Sequence, residues 1–587
     1  MSFTSPQVVV VGAGPAGLNA ALAAADSGAA VVLVDSAART GGQYYRQSPA
    51  EFAEFADAAG AAEPDRAAAG IARVAGGKRH VRRGPAEAVR LERRVAVHPR
   101  IEYLPRTTVW AVEPGRPAPP PPRAPAAATD RASDPHVIHL VHIQQGPADG
   151  VGRAPRTLAA AALVLCPGAY DRALPFPGWD LPGVVTAGAA QALAKGQRIA
   201  VGRRVVVSGT GPFLLPVASS LLGVGARVRG VYEAGSPSGW LRAPLTALRD
   251  GRTKLPELAA HTARMARHRV PYRTRHAVVA AHGRDRVEAV TVARLDPDWR
   301  IRPGTERRIE GIDALCIGYG FTPQLELAVA AGCELGSDPD GGGYVIVNPW
   351  QGTSTPGVYA AGEITGIGGA ELAAAEGVLA GIAAAVRLGC HAEAERAHAA
   401  RRRVRTGRRF AAALAAAHPV RSGWQSWLSD DTLVCRCEEV PYRDLRAAVQ
   451  GRGADGTRAL KLTSRAGLGA CQGRVCGRNT AELAAGLAAG LAAAGPGRAT
   501  EPGGPPHSPG PPDPYALDRR PIAQPIRLGD LAVTGPLGDQ GDQPGPPEQE
   551  APVRTAPDTP APEAPEAPEA SKHPETPDSH APPEEGT

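Results

Sequence analysis

Residues 7–11, QVVVV, set β-branched side chains at successive positions with no polar alternation, the pattern of a strand buried on both faces of a parallel sheet. The pattern returns in AVVLVD (30–35) and RRVVVSG (203–209). A helix follows the first run immediately, and buried strands alternating with helices predict an α/β fold. The apolar stretch 372–386 is Ala-rich and broken by Glu376, so it falls short of the ~20 apolar residues of a membrane span. His136, His139 and His142 punctuate a strand-like run and are expected to be solvated rather than catalytic. The Pro-rich passage 115–135 reads as an exposed insertion between strands.

The first strand and its helix are joined by GAGPAG (12–17). In such a turn Gly12 makes the tight bend, Gly14 admits a pyrophosphate and Gly17 permits the helix–strand contact. Pro15 and Ala16 open a helix whose N-terminus offers free N–H groups to phosphate. Asp35 ends the second strand 23 residues beyond Gly12, where a carboxylate reaches an adenosine ribose. A second turn of this type follows residue 208, with Gly209 and Gly211 at its first two positions and Glu233 in the ribose slot, suited to NAD over NADP. Its third position is Leu214, which must displace the helix or change its angle. Binding of NAD there stays open, a retained scaffold being the alternative.

Four cysteines form a different constellation. CRC (435–437) and CQGRVC (471–476) set Cys435 and Cys437, then 33 intervening residues, then Cys471 and Cys476. Four soft thiolates suit a 2Fe-2S cluster, and Gly467, Gly469 and Gly473 let backbone N–H groups approach the sulfurs. Zinc accepts the same donors, although its usual C-x2 to 4-C pairs are not matched by C-x-C. Cys166, Cys316, Cys333 and Cys390 are isolated and read as small buried hydrophobes. The segment after Asp35, RTGGQYYRQSP, contains no cysteine, which excludes a redox dithiol there.

Eight cysteines in 587 residues exclude a disulfide scaffold and point to a reducing compartment, the cytoplasm. An export signal is not expected, because no charged and apolar leader precedes the first strand. The net charge of +7 divides unevenly: residues 501–587 hold 5 Lys/Arg against 16 Asp/Glu, a net of −11 that leaves +18 on the rest. Only 5 of the 65 basic residues are lysine, and this dispersed arginine argues against nucleic-acid binding. The basic passage 396–409 reads as a solvated face, with an acidic partner surface as the alternative. The tail carries 23 prolines in 87 residues and cannot build a core, although 519–532 has enough apolar content to dock.

Residues 353–363, TSTPGVYAAGE, resemble the second FAD motif of flavoproteins with two dinucleotide-binding domains. The likeness implies that Gly362 admits the flavin's ribityl-phosphate portion, that Glu363, where relatives often carry Asp, accepts a hydroxyl, and that Gly368 and Gly369 open a helix facing the flavin. LVCRCEEV and LKLTSRAGLGACQGRVCG resemble the bacterioferritin-associated ferredoxin domain fused to flavoproteins. Together with GGQYYRQ (Gly42 and Gln43 included) and the segment beginning at Gly168, the chain resembles the FAD- and iron-sulfur-containing subunit of opine oxidases, hydrogen cyanide synthases and heteromeric proline or hydroxyproline dehydrogenases. The likeness covers about residues 6–490, and RRPIAQPIRLGDLA adds a short match. Cys166-Pro167-Gly168, where relatives commonly show Ala-Thr-Gly, departs from it.

What the resemblance implies is an electron-transfer role within a heteromeric complex. There, a separate flavin-containing partner would oxidise a C–H beside an amine, and a small ferredoxin-like protein is a further partner. The expected architecture is α/β, with two Rossmann-like domains, one inserted in the other, a small helical 2Fe-2S domain and a disordered C-terminal tail. The FAD domain comes in two segments, 1–110 and 325–395, and between them stand a β-rich connection with the Pro-rich insertion (111–185) and the NAD-like domain (186–324). A helical linker (396–430), the 2Fe-2S domain (431–494) and the tail (495–587) with its strap (519–532) complete the chain. Two other readings remain: a stand-alone NADH-dependent ferredoxin-type reductase, and a zinc-stabilised scaffold without catalysis.

Overall fold

In a computed structural model the described residues are 7–46, 83–117, 137–147, 150–242, 249–251, 254–338, 341–454, 456–493, 519–520 and 522–533. Most of the Pro-rich insertion, His136 and all of the tail except the strap lie outside them.

The first sheet is built on the unalternated run. Its strands are β1 (Gln7–Val11), β2 (Val31–Val34), β3 (Ile101–Leu104), β4 (Thr107–Pro117), β5 (Val137–Gln145) and β6 (Ala154–Leu165), in the order β3-β2-β1-β6-β5-β4. The strand Val358–Ala360 returns some 190 residues later to pair with β6 in parallel, Val358 opposite Leu163. Val8, Val9 and Val10 are wholly buried, each contributing roughly 1.5–3 kcal/mol of apolar transfer. The helix Pro15–Asp26 crosses the Ala-rich helix Ala370–Arg387 at very short range, because Gly377 and Gly381, one turn apart, leave room for the carbonyls of Ala16 and Ala20. Alanine and glycine at that crossing explain why this stretch is apolar without being a membrane span. No helix among the described residues is long and apolar enough to cross a membrane.

A second sheet runs Tyr272–Thr274, Arg227–Glu233, Arg204–Gly209, Ala314–Gly318, Val184–Thr186, all parallel. The cysteine region is not a satellite of this sheet. Cys435, Leu445, Leu483, Trp424 and Trp427 belong to the same apolar cluster as Trp179, Leu315 and Ile317. Trp179 Nε1 donates to the Leu433 carbonyl at 2.6 Å, and Arg172 meets Glu482 through paired bonds of 2.6 and 2.7 Å. Residues 394–417 form one 24-residue helix.

Contrary to the expectation from sequence, the histidine run is not solvated. His139 is fully buried, its Nε2 3.0 Å from the Pro356 carbonyl, and His142 is buried between Thr157 Oγ1 at 3.0 Å and Glu113 Oε1 at 3.2 Å. A spacing of three puts successive side chains on opposite faces of a strand, so the run never had a single exposed face.

Candidate functional site

At the first cradle, β1 is followed by Gly12, whose φ is +98°, and the helix begins at Pro15. A methyl group on Gly12 would strike the Cys166 carbonyl oxygen, and one on Gly17 would strike the Gly12 carbonyl oxygen. Gly14 is open: a methyl there meets only the Gly42 Cα, 4.0 Å away. Gly42, at φ +57°, abuts Gly14 because neither carries a side chain, and Gln43 is exposed beside them. One oxygen of Asp35 accepts from the Ala13 N–H at 2.5 Å and the other from Ala37 at 2.7 Å, which ties the end of β2 to the glycine turn. Burial raises the Asp35 pKa.

Gly168, at φ +91°, and Gly369, at φ +84°, also face open space. The residues present therefore fit an extended dinucleotide: methyl-free cradles at Gly14, Gly168 and Gly369 and a helix N-terminus at Pro15. Glu363 turns its carboxylate inward, accepting from Gly369 N–H at 2.8 Å and Gly368 N–H at 3.2 Å, and burial raises its pKa. Its extra methylene, compared with Asp, carries the charge to that helix N-terminus.

Two residues of this site escape sequence reasoning. Glu376, fully buried, accepts from the Gly362 N–H and from Thr365 Oγ1, each at 2.9 Å, and pairs with Arg408. Burial pushes Glu376 up, opposed by Arg408, Gly362 and Thr365. The only signal was a lone acid inside an apolar helix; Arg408 was hidden among the arginines of 396–409. Cys166 acquires a role through its backbone, since its carbonyl fills the space that Gly12 vacates, while burial pushes its thiol up.

The second cradle differs in three respects. Its helix begins at Leu214, five residues beyond Gly209, whereas Pro15 stands three beyond Gly12. Leu214 is fully buried with Ala187, Val205 and Val207, so the third position is filled by packing. Glu233, 2% exposed, is tied to its own turn as Asp35 is, but with an added hydroxyl donor: it accepts from Thr210 Oγ1 at 2.7 Å, Gly211 N–H at 2.9 Å and Gly235 N–H at 3.0 Å. Tyr272 also hydrogen-bonds Glu233, and His418 Nδ1 stands 3.7 Å away. Trp240 lies edge-on to His418 and stacks on Phe410 at 6.1 Å.

The four cysteines meet around one cavity of about 210 Å³, which Trp179, Ile317 and Val475 also line. Cys435 and Cys476 are buried, Cys471 is half-buried and Cys437 is exposed. Interaction with the Cys476 thiol holds Cys435 down at about 6 and Cys471 at about 4, and raises Cys476 in turn. Backbone N–H groups of Gly467 and Glu438 point at Cys435, and those of Val475 and Gly473 at Cys471. A methyl on Gly469 would strike the Cys437 Cβ. Among the described residues no three His, Cys, Asp or Glu form a group set to hold one metal ion.

The chain matches the pyridine nucleotide-disulphide oxidoreductase family over residues 6–387. It is 33% identical over 317 residues to hydrogen cyanide synthase subunit HcnB of Pseudomonas protegens, covering 54% of this chain and 67% of that protein. It is 30% identical over 485 residues to an opine oxidase subunit of Rhizobium meliloti, covering 81% of each. The fold matches the crystal structure of L-proline dehydrogenase from P. horikoshii at a TM-score of 0.54 and 17% identity, over 90% of this chain and 79% of that one.

Proposed function

The chain belongs to the pyridine nucleotide-disulphide oxidoreductase family of flavoproteins, in the group that holds the opine oxidase and hydrogen cyanide synthase HcnB subunits, and from this we propose that it is the electron-transfer subunit of a heteromeric amino-acid, imino-acid or opine dehydrogenase, working in the cytoplasm. The observation that carries the reading is the gathering of four thiols around one cavity, walled by the second sheet's domain. A 2Fe-2S cluster takes two thiolates on each iron, so it asks for two pairs of sulfurs and no group of three about one ion. The N–H groups aimed at Cys435 and Cys471 favour a cluster whose potential is set by hydrogen bonds to its sulfurs.

When bound, FAD supplies two-electron chemistry toward a donor and one-electron chemistry toward a cluster. The chain's own residues do other work. Gly12, Gly14 and Gly17 admit the pyrophosphate to a helix N-terminus, with Pro15 and Ala16 opening that helix; Asp35 orders the turn, and Gly362 and Gly369 keep the second motif free of side chains. Partner subunits oxidise the substrate, an amine or amino acid by this reading, and a ferredoxin-like partner takes electrons onward.

The purified holo-chain tests the reading. It should carry one flavin and two irons per chain, with the paramagnetic signal of a 2Fe-2S centre after reduction. A colourless, zinc-containing protein would instead support the scaffold reading. A pair of glycine variants separates binding from folding. Gly12→Ala forces both a positive φ and a collision with the Cys166 backbone, a loss of at least about 2 kcal/mol in chemical denaturation. Gly14→Ala should leave the denaturation midpoint unchanged while lowering flavin content several-fold.

NADH should leave the flavin spectrum unchanged over minutes, because the helix stands back from the turn, Leu214 fills its third position, and buried Glu233 already accepts three hydrogen bonds. Bleaching within seconds would favour the stand-alone reductase.

A further inference from the structure

The strap binds the body at both of its ends. The Ala523 N–H donates to the Trp110 carbonyl at 2.7 Å on β4, and Ala523 is 1% exposed within the first sheet's apolar core. Asp530 accepts from the Gln144 side chain at 3.3 Å. At the other end Arg520 enters the cysteine loop, where its Nη2 donates to the Gln472 carbonyl at 2.5 Å and its Nη1 stands 3.5 Å from Gln472 Oε1.

The loop reaches back through Arg474, between Cys471 and Cys476. Arg474 Nη2 donates to the Ala523 carbonyl at 2.5 Å, and its Nε donates to Glu326 Oε1 at 2.7 Å and to Tyr170 Oη at 2.8 Å. Glu326 is 3% exposed and also lies 3.8 Å from Arg520. Two guanidinium groups thus share one buried carboxylate, and together they join strap, cysteine loop and the segment just beyond Gly168. Charge-assisted bonds of this kind are strong and geometrically demanding.

The backbone of the loop shows what the contact holds. Gln472 adopts φ +49°, a left-handed conformation that a non-glycine residue keeps only when its surroundings hold it. Arg520 grips the carbonyl of that same residue.

We propose that the strap is a clasp on the cysteine loop, in which Arg520 is a positioning residue that holds Gln472 left-handed and so keeps Cys471 and Cys476 turned toward Cys435. The proposal rests on the reading of the cavity as a 2Fe-2S site. With the clasp closed, the N–H groups of Gly473 and Val475 stay aimed at Cys471. With it open, Gln472 relaxes to negative φ, those donors swing away, and the cluster becomes accessible and changes potential.

The test uses the full chain, prepared without oxygen as wild type, Arg520→Ala, Arg520→Lys and the double variant Arg520→Ala with Gln472→Gly. The readouts are the rate of cluster bleaching by an iron chelator, the midpoint potential of the cluster, and flavin content as an internal control. Arg520→Ala should lose its cluster at least tenfold faster with a shifted potential and unchanged flavin. Arg520→Lys, keeping the charge with a single donor group, should fall between. Gln472→Gly should restore most of the retention in the Arg520→Ala background, because glycine takes the left-handed conformation unaided.

Equal bleaching rates in wild type and Arg520→Ala would overturn the clasp. So would parallel loss of flavin and cluster with no rescue by glycine, which would mark a general structural role. Wild type without iron would fail the cluster reading itself, and that outcome is visible before any substitution is compared.

Discussion

Replacing Cys471 by serine should strip the iron from the chain while leaving the flavin in place. A serine oxygen is a hard, weakly acidic donor where a soft thiolate is required, so iron should fall from two per chain to near background and the reduced-state paramagnetic signal should vanish. Electron transfer from the flavin to a one-electron acceptor should fall by two orders of magnitude or more. The flavin should remain because the cradle proposed for it is built from β1, β2, β6 and the Ala370–Arg387 helix, whose apolar clusters contain none of the four clustered cysteines. Cys390→Ser is the control: this half-buried thiol lies against the first sheet's helices, and both spectra should survive its loss. Flavin and iron lost together from Cys471→Ser would show that the two sites do not fold independently.

Arg408→Ala should be the most destabilising single change at the flavin site. It leaves Glu376, fully buried, with neutral donors and no cation. Breaking a buried ion pair costs about 3–5 kcal/mol, and the lower end applies because a third of the Arg408 side chain remains in water. Flavin affinity should fall with stability, since Glu376 anchors the Gly362 N–H and Thr365. The pH dependence follows from the raised pKa of Glu376. The folded chain holds this proton more tightly than the unfolded chain does, so the group favours folding at low pH, and that contribution is lost as pH rises from about 4.5 through the folded pKa. Arg408 opposes the loss. The deficit of Arg408→Ala should therefore be smallest near pH 5 and larger at pH 8, as urea denaturation at the two values would reveal. Adding Glu376→Gln to that variant should flatten the dependence, and an unchanged difference would mean that Glu376 is not the titrating group.

The local chemistry of the chain was legible without a structure. Unalternated β-branched runs announce parallel strands because only a strand covered on both faces tolerates them, and Val8 to Val10 are wholly buried. The GAGPAG turn announces itself by the spacing of its glycines between a buried strand and a helix, and the spacing of Cys435, Cys437, Cys471 and Cys476 was enough to expect four sulfurs at one place. The His139 and His142 expectation failed because burial depends on which strands and loops cover a face, and Pro356, which meets His139, is 217 residues away.

The amino-acid sequence by itself determined the buried strands at 7–11, 30–35 and 203–209, the two glycine turns, the four-thiol set and the apolar content of the strap, since each rests on short-range periodicity or spacing. Tertiary structure alone decided which arginine of 396–409 turns inward to Glu376, that the Cys166 carbonyl fills the hollow of Gly12, and that Glu233 spends its oxygens on its own turn. It alone also brought Arg520 onto the cysteine loop. The reason is that a charged side chain is committed by the partner that shields it from water, and these partners lie tens to hundreds of residues away, where no local pattern records them.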